Sequence, residues 1–330
     1  MSTRFALARS ALAAMVLATM AGDQWPDHPA RASATAERAP TAAARPAAER
    51  SSGQALTTSD CTPQNRRASL RPQGPLPAPG RMPAGSAMAR IAQQEYLIAG
   101  VHQDLQGFSF RDENLRLQGF DIDIVRDIAE AIFGDRERVR FRQVNIADRL
   151  KIAKSDVDLV VAGVVITCQR REEVDFSAAY FETGQRVLVN RGSGFTDLAS
   201  LTGHPVCASH GSTGMETIQA ATLKLIPVGV SSHTDCLALL QLGKVDAVCA
   251  TEATLASMAA QDPRTEIVGS RLTEEPFAVA INKDTPDLVR FVNAVLERRA
   301  QDGRWRASYQ RWLLTLLGPP PSPPTPQYQD

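Results

Sequence analysis

The sequence has no surplus of either charge: 36 Lys and Arg face 36 Asp and Glu over 330 residues. A nucleic-acid surface normally needs a basic excess, so that class of partner is set aside. Aromatic residues make up only 5% of the chain, too few for base-stacking platforms. The five cysteines, Cys61, Cys168, Cys207, Cys236 and Cys249, include no close pair, and the five histidines are scattered. Zinc-type spacing is missing, and no metal or cofactor is expected. Neither a Gly-rich phosphate motif nor a nucleophile–base constellation is present, and no catalytic residue is nominated. No apolar run spans a bilayer comfortably; the stretch Ser10 to Ala21 is too short.

That stretch reads instead as an export signal. Arg4 and Arg9 precede it, and Thr19 and Ala21 are small residues at plausible −3 and −1 positions for cleavage. A signal peptide over 1–21 places the chain in an oxidising compartment, where cysteines favour disulfides and an odd count leaves one over. Residues 22–88 are rich in Ala, Pro, Arg, Ser and Gly without a helical or strand period, which predicts a disordered linker. The tail 318–330, with Gly318-Pro319-Pro320-Pro321 and Pro323-Pro324-Thr325-Pro326, predicts extended, partly polyproline-like chain.

Between these ends strand and helix patterns alternate. Tyr96 to Val101, Arg138 to Val144, Asp158 to Gly163, Arg186 to Asn190, Pro205 to Ala208 and Asp246 to Ala250 read as strands. Phe120 to Phe133 carries Ile124, Ile128 and Ile132 at helical spacing, closed by Gly134, and Asp287 to Arg299 is amphipathic. Trp305, Tyr309, Trp312 and Leu316 form a final apolar stripe. The alternation predicts an α/β chain with parallel sheets covered by helices. Ligands of such sheets bind at the C-terminal ends of strands, here in a cleft between two sheets.

Several motifs fall in a specific order: Gly100-Val101, Gly107-Phe108-Ser109-Phe110, Gly119-Phe120-Asp121-Ile122-Asp123, Asp158 to Thr167, Arg170, Val174-Asp175-Phe176-Ser177, Tyr180 and Gly184-Gln185. Over Arg90 to Leu317 the chain resembles the polar amino-acid-binding proteins of ABC transporters, solute-binding protein family 3. It is most similar to the actinobacterial glutamate/glutamine-binding lipoproteins, with which it shares Thr167-Cys168-Gln169-Arg170-Arg171 and the ending Pro326-Gln327-Tyr328-Gln329-Asp330. The resemblance implies a type II periplasmic-binding-protein fold, with lobe 1 over 89–185 and 283–317, lobe 2 over 186–282, and two crossover strands. It implies a monomer that closes on a polar amino acid of the glutamate, aspartate or glutamine class and docks on an ABC permease. A membrane sensor could read the same closure. A periplasmic dehydratase on this fold would need an acid such as Glu252 or His102 in the cleft.

The resemblance also assigns roles. Arg170 would clamp the ligand α-carboxylate with its planar fork of donors; its alternative is a surface ion pair with Glu172 or Glu173. The turn around Ser212 and Thr213 would present backbone N–H groups to the same carboxylate, or simply cap the following helix. Gly163 would offer its carbonyl to the ligand ammonium. The cysteines would pair as Cys61–Cys168 and Cys207–Cys236, with Cys249 buried in its strand. Four positions depart from the family. Met20 stands where the lipidated cysteine would be. Val165 replaces a Ser or Thr, and Thr251 replaces the Asp that holds the ammonium. Asn145 replaces a covering aromatic. Glu252, next to Thr251, is expected to take over the ammonium if the chain turns it inward; otherwise the chain is expected to prefer carboxylates without an α-ammonium or to bind amino acids weakly.

Overall fold

The computed structural model describes residues 61–329. The expected signal peptide, Met20, the first part of the linker and Asp330 lie outside the described residues. Along the chain run β1 (Ser69–Leu70), α1 (Ala87–Gln93), β2 (Leu97–Val101), β3 (Asp104–Leu105), β4 (Ser109–Arg111), β5 (Leu117–Gln118), α2 (Phe120–Phe133), β6 (Val139–Gln143), α3 (Arg149–Ser155), β7 (Leu159–Val165), α4 (Cys168–Arg171), β8 (Asp175–Phe176) and β9 (Phe181–Thr183). Then come β10 (Gln185–Asn190), β11 (Pro205–Ser209), α5 (Thr213–Ala220), β12 (Ile226–Val230), α6 (His233–Gln241), β13 (Ala247–Thr251), α7 (Glu252–Gln261) and β14 (Thr265–Val268). The last elements are β15 (Glu275–Ile281), α8 (Pro286–Gln301), α9 (Arg304–Trp312), α10 (Leu314–Leu317) and β16 (Tyr328–Gln329).

Two sheets make two lobes. The first has the order β6-β2-β7-β15-β8, with β9 also on β15; the second has the order β12-β11-β13-β10-β14. Strand β7 shows why a continuous apolar run is needed at a sheet centre. Its Leu159, Val161 and Val165 join a core with α2 and α8, while Val160, Ala162 and Val164 join a second core on the opposite face. Helix α2 buries Ile124, Val125, Ile128 and Ile132, and stops at Gly134, whose left-handed φ of 75° lets its N–H close on the Glu130 carbonyl. In lobe 2, β10 places Val187 and Val189 toward Met215 and Ile218 of α5, and Leu188 toward Leu237, Leu240 and Leu255 of α6 and α7.

Two sequence expectations need correction. Residues 275–281 were expected in lobe 2, but β15 pairs antiparallel with β7, β8 and β9 and belongs to lobe 1. The chain returns between lobes at 269–274. A strand as apolar as Phe277 to Ile281 reads the same in either sheet, so periodicity could not place it. The outward crossing is at Gly184, where any side chain would run into the Thr273 carbonyl.

The second correction concerns the linker, which packs as part of lobe 1 from Cys61 onward. Cys61 is bonded to Cys168, 107 residues away. Strand β1 pairs in parallel with β16, and Leu70 is buried. Asn293 of α8 holds the strap with two hydrogen bonds, its amide donating to Ser69 Oγ (2.8 Å) and the Leu70 carbonyl (2.7 Å), while its oxygen accepts from the Ala178 N–H of lobe 1 (2.7 Å). Arg67 bridges Glu182 and Glu274 on the two crossing segments. Composition predicted disorder because the segment has no core of its own; it borrows that of lobe 1. The tail carries no helix or strand from 319 to 327 before it closes on the strap through β16.

Candidate functional site

Three loops of lobe 1 end at the cleft: the one after β2, the start of α3 after β6, and the turn from β7 into α4. Lobe 2 presents the turn from β11 into α5 and the first residue of α6. Arg170 lies on α4, a single helical turn capped by Thr167, whose hydroxyl accepts the Arg170 N–H at 3.1 Å. The side chain is 6% exposed. It donates from Nη1 to the Val165 carbonyl (2.9 Å) and from Nη2 across the cleft to the Gly211 carbonyl (3.0 Å). Its nearest carboxylate is the half-exposed Glu216 of lobe 2, at 3.9 Å. Burial lowers the guanidinium pKa, an effect only partly offset by Glu216 and Glu275.

The lobes are in contact. Besides the Arg170–Gly211 bond, Thr234 Oγ1 donates to Asp104 Oδ2 (3.3 Å). A Cβ on Gly211 would lie 3.3 Å from Ala147 Cα. Ser212 caps α5, accepting from the Met215 N–H (3.2 Å) and donating to the Ser209 carbonyl (2.7 Å). Thr213 Oγ1 accepts from the Gln185 amide at 2.8 Å. Gly163 has φ of 52°, and its N–H donates to Asp121 Oδ2 at 3.2 Å. That carboxyl is fully buried, and burial pushes its pKa up to about 7.

The positions that depart from the family divide sharply. The Val165 side chain packs in the core, and its carbonyl serves Arg170. Thr251 caps α7 and shares a 2.9 Å hydroxyl contact with Thr254. Glu252 does not turn into the cleft: Arg186 binds one carboxylate oxygen at 2.8 Å and Arg271 the other at 2.6 Å. Burial alone would raise its pKa, but the hydrogen bonds from Arg271 and Arg186 outweigh it and hold the carboxyl below its usual range. As the first residue of α7 it is aimed by the helix rather than by the strand, and the two arginines claim it. Asn145 is exposed and contributes its carbonyl to the Arg149 N–H (3.1 Å); it covers nothing.

Two groups not singled out in the sequence, Arg149 and His233, meet here with His102, which the sequence did nominate. Arg149 opens α3 and is 5% exposed. Among the described residues its side chain has no hydrogen-bond acceptor, no carboxylate within ion-pair distance, and a buried Nε without a partner. Burial, and secondly the charge of Arg170, lower its pKa to about 9. His233 opens α6, with Nδ1 3.0 Å from Ser209 Oγ. His102 follows β2 and is buried. Burial first, then the Arg149 charge, lowers His102 to about 4; burial first, then His102 and Arg149, lowers His233 to about 3. A basic residue just past a parallel strand, as Arg149 is past β6, is the signal that could have found the first of these.

Beyond the cleft, the structure bonds Cys207 to Cys236 within lobe 2 and leaves Cys249 as a buried thiol. Among the described residues no helix is long and apolar enough to cross a membrane, and no cluster could hold a metal ion. The profile of the bacterial extracellular solute-binding proteins, family 3, matches residues 97–315. The chain is 31% identical over 229 residues to the ABC transporter glutamine-binding protein GlnH of Bacillus subtilis, covering 68% of this chain and 84% of that one. It is 28% identical over 259 residues to the glutamate-binding protein GluB of Corynebacterium efficiens, covering 74% and 86%. Among solved structures, the L-cysteine solute receptor of Neisseria gonorrhoeae superposes with a TM-score of 0.67 at 28% identity, over 70% of this chain and 95% of that one. Two α/β lobes, a cleft lined by buried cations and a family match across both lobes lead to one conclusion: the chain belongs to the bacterial extracellular solute-binding proteins, family 3.

Proposed function

We propose that the protein captures an L-amino acid with an acidic side chain, glutamate or aspartate, outside the cytoplasmic membrane and delivers it to an ABC permease. The single observation that carries this reading is Arg149. It is as buried as Arg170, yet among the described residues no carboxylate lies within ion-pair distance of it, and Glu216 acts on it only from farther away. Two guanidiniums withdrawn from water at one cleft repel each other and leave donors unused. A ligand with one carboxylate satisfies Arg170 alone; a dicarboxylate satisfies both. Arg170 then holds the α-carboxylate, with the Ser212–Thr213 turn closing on it from lobe 2, and Gly163 lends its carbonyl to the ammonium. Named relatives supply the wider frame, since they include an ABC transporter glutamine-binding protein and a glutamate-binding protein. Met20 offers no thiol for a thioether lipid, so we place the exported protein without a lipid at that position.

Calorimetry of the full chain against L-glutamate, L-aspartate, L-glutamine, L-asparagine and L-arginine tests the reading. A buried charge left unpaired costs about 3–5 kcal/mol, so the acidic amino acids should bind at least two orders of magnitude tighter. Arg149→Met should remove that preference. L-Glutamine or L-arginine binding as tightly as L-glutamate would refute the assignment.

A further inference from the structure

We propose that Glu275 receives the α-ammonium group of the bound amino acid. The inference rests on the reading of the cleft as an amino-acid site, and not on which side chain the ligand carries. An ammonium buried between the lobes needs an anionic or at least polar acceptor. The Gly163 carbonyl is neutral, and the side chains expected to provide an acceptor are spent. Val165 is apolar, the Thr251 hydroxyl is engaged by Thr254, and both oxygens of Glu252 are held by Arg186 and Arg271.

Of the two buried acids with an unpartnered oxygen among the described residues, Asp121 already accepts the Gly163 N–H, and Glu275 is the other. It opens β15 directly after the returning crossover and is 4% exposed. Thr273 Oγ1 donates to its Oε1 at 2.6 Å, while Oε2 is buried with no hydrogen-bond partner among the described residues. A buried carboxylate oxygen left bare is costly unless something fills it. Its surroundings connect it to the cleft: Gln185, bonded to Thr273, also donates its side-chain amide to Thr213 Oγ1 on the lobe 2 turn. Its charge is felt by Arg170, the carboxylate clamp, and by Cys249, two residues before Thr251 on β13. Thr273, which holds Oε1, also accepts the Gln185 N–H at 3.2 Å, and Gln185 lies opposite Thr251 in the β10–β13 register. The carboxylate therefore stands at the hinge between the clamp and the strand end that has lost its acid. An ammonium at Oε2 would tie ligand occupancy to the segment on which the lobes turn.

The test is calorimetry on the full chain, wild type and Glu275→Gln, with two matched pairs: L-glutamate against glutarate, and L-glutamine against glutaramate. Each pair differs only by the ammonium group. Glutamine at position 275 keeps the volume and the oxygen that accepts from Thr273. Wild type should prefer the amino acid by at least tenfold. Glu275→Gln should weaken the amino acid at least tenfold and its desamino partner less than twofold, so that the preference collapses. Equal losses for both members of a pair would mean that Glu275 only balances Arg170 or supports the fold, and would overturn the inference. So would no loss at all, or a wild type indifferent to the ammonium, a measurement that needs no variant. Binding of L-glutamine in place of L-glutamate would refute the dicarboxylate reading while leaving the second pair to decide Glu275.

Discussion

Arg170 and Arg171 are neighbours on one turn of helix, both buried, and exchanging each for alanine should have opposite consequences. Arg171 is spent within the protein: Nε donates to the Arg66 carbonyl (2.8 Å), Nη2 to the Ala68 carbonyl (2.5 Å), and the guanidinium lies 5.7 Å from the Phe176 ring centroid. Hydrogen bonds from a charged group are worth about 1.5–3 kcal/mol each. Arg171→Ala should therefore destabilise the unliganded protein by about 3 kcal/mol or more. At roughly 2–4 °C per kcal/mol for a chain of this size, the melting midpoint drops by about 6–12 °C. Burial lowers the pKa of both arginines, but Arg170 makes only one carbonyl contact within its own lobe, its second reaching across the cleft to lobe 2. Its full return comes only with a ligand carboxylate. Arg170→Ala should leave the unliganded midpoint within a few degrees of wild type and weaken amino-acid binding by about 3 kcal/mol, roughly 150-fold. Thermal shift without ligand and calorimetry with L-glutamate read the two quantities separately. Equal affinity losses at both positions, or a larger melting drop for Arg170→Ala, would refute this division.

Two further outcomes are expected. Peptide mapping without reductant should return Cys61–Cys168 and Cys207–Cys236 with Cys249 free; reduction should lower the melting midpoint, the longer loop contributing about 4–5 kcal/mol by chain entropy, and a Cys207–Cys249 peptide would contradict the structure. Binding should also depend on acid. In the closed cleft His102 and His233 sit near 4 and 3, against 6.5 for an open, hydrated imidazole, facing Arg149 and Asp104 and, from lobe 2, the Ser209 hydroxyl. Because the closed-state values are depressed, closure is fully favoured above about pH 6.5 and weakens as pH falls toward 4. Calorimetry at pH 6 in buffers of differing ionisation heat should show proton release on binding; proton uptake would oppose it.

What was legible in the sequence followed local chemistry. The strand at Asp158 to Gly163 and the helix at Phe120 to Phe133 announced themselves through period and caps, because those patterns are set by near neighbours. Arg170 was legible because it follows a recognisable run of residues. Arg149 and Glu275 were not, since nothing near either in sequence says that it is buried. Their environment is made by other segments of the chain: Arg170, Tyr180 and Glu216 around Arg149, and Arg170 and Cys249 around Glu275. Glu252 was misjudged for the same reason: Arg186 of β10 and Arg271 of the returning crossover, which claim it, come from other segments.

The strap has a practical consequence for anyone cutting the gene. The family match begins at residue 97 and ends at 315, and those are tempting borders for an expressed fragment. Such a piece would leave Cys168 as a lone thiol two residues from the carboxylate clamp, open to dimerisation or oxidation. It would strip Asn293 of the partners of its amide hydrogens and leave Arg171 with no carbonyls to bind. Ligand measurements on it would describe a damaged clamp. A fragment that keeps the clamp intact includes at least Cys61 through Gln329, where β16 lies against β1.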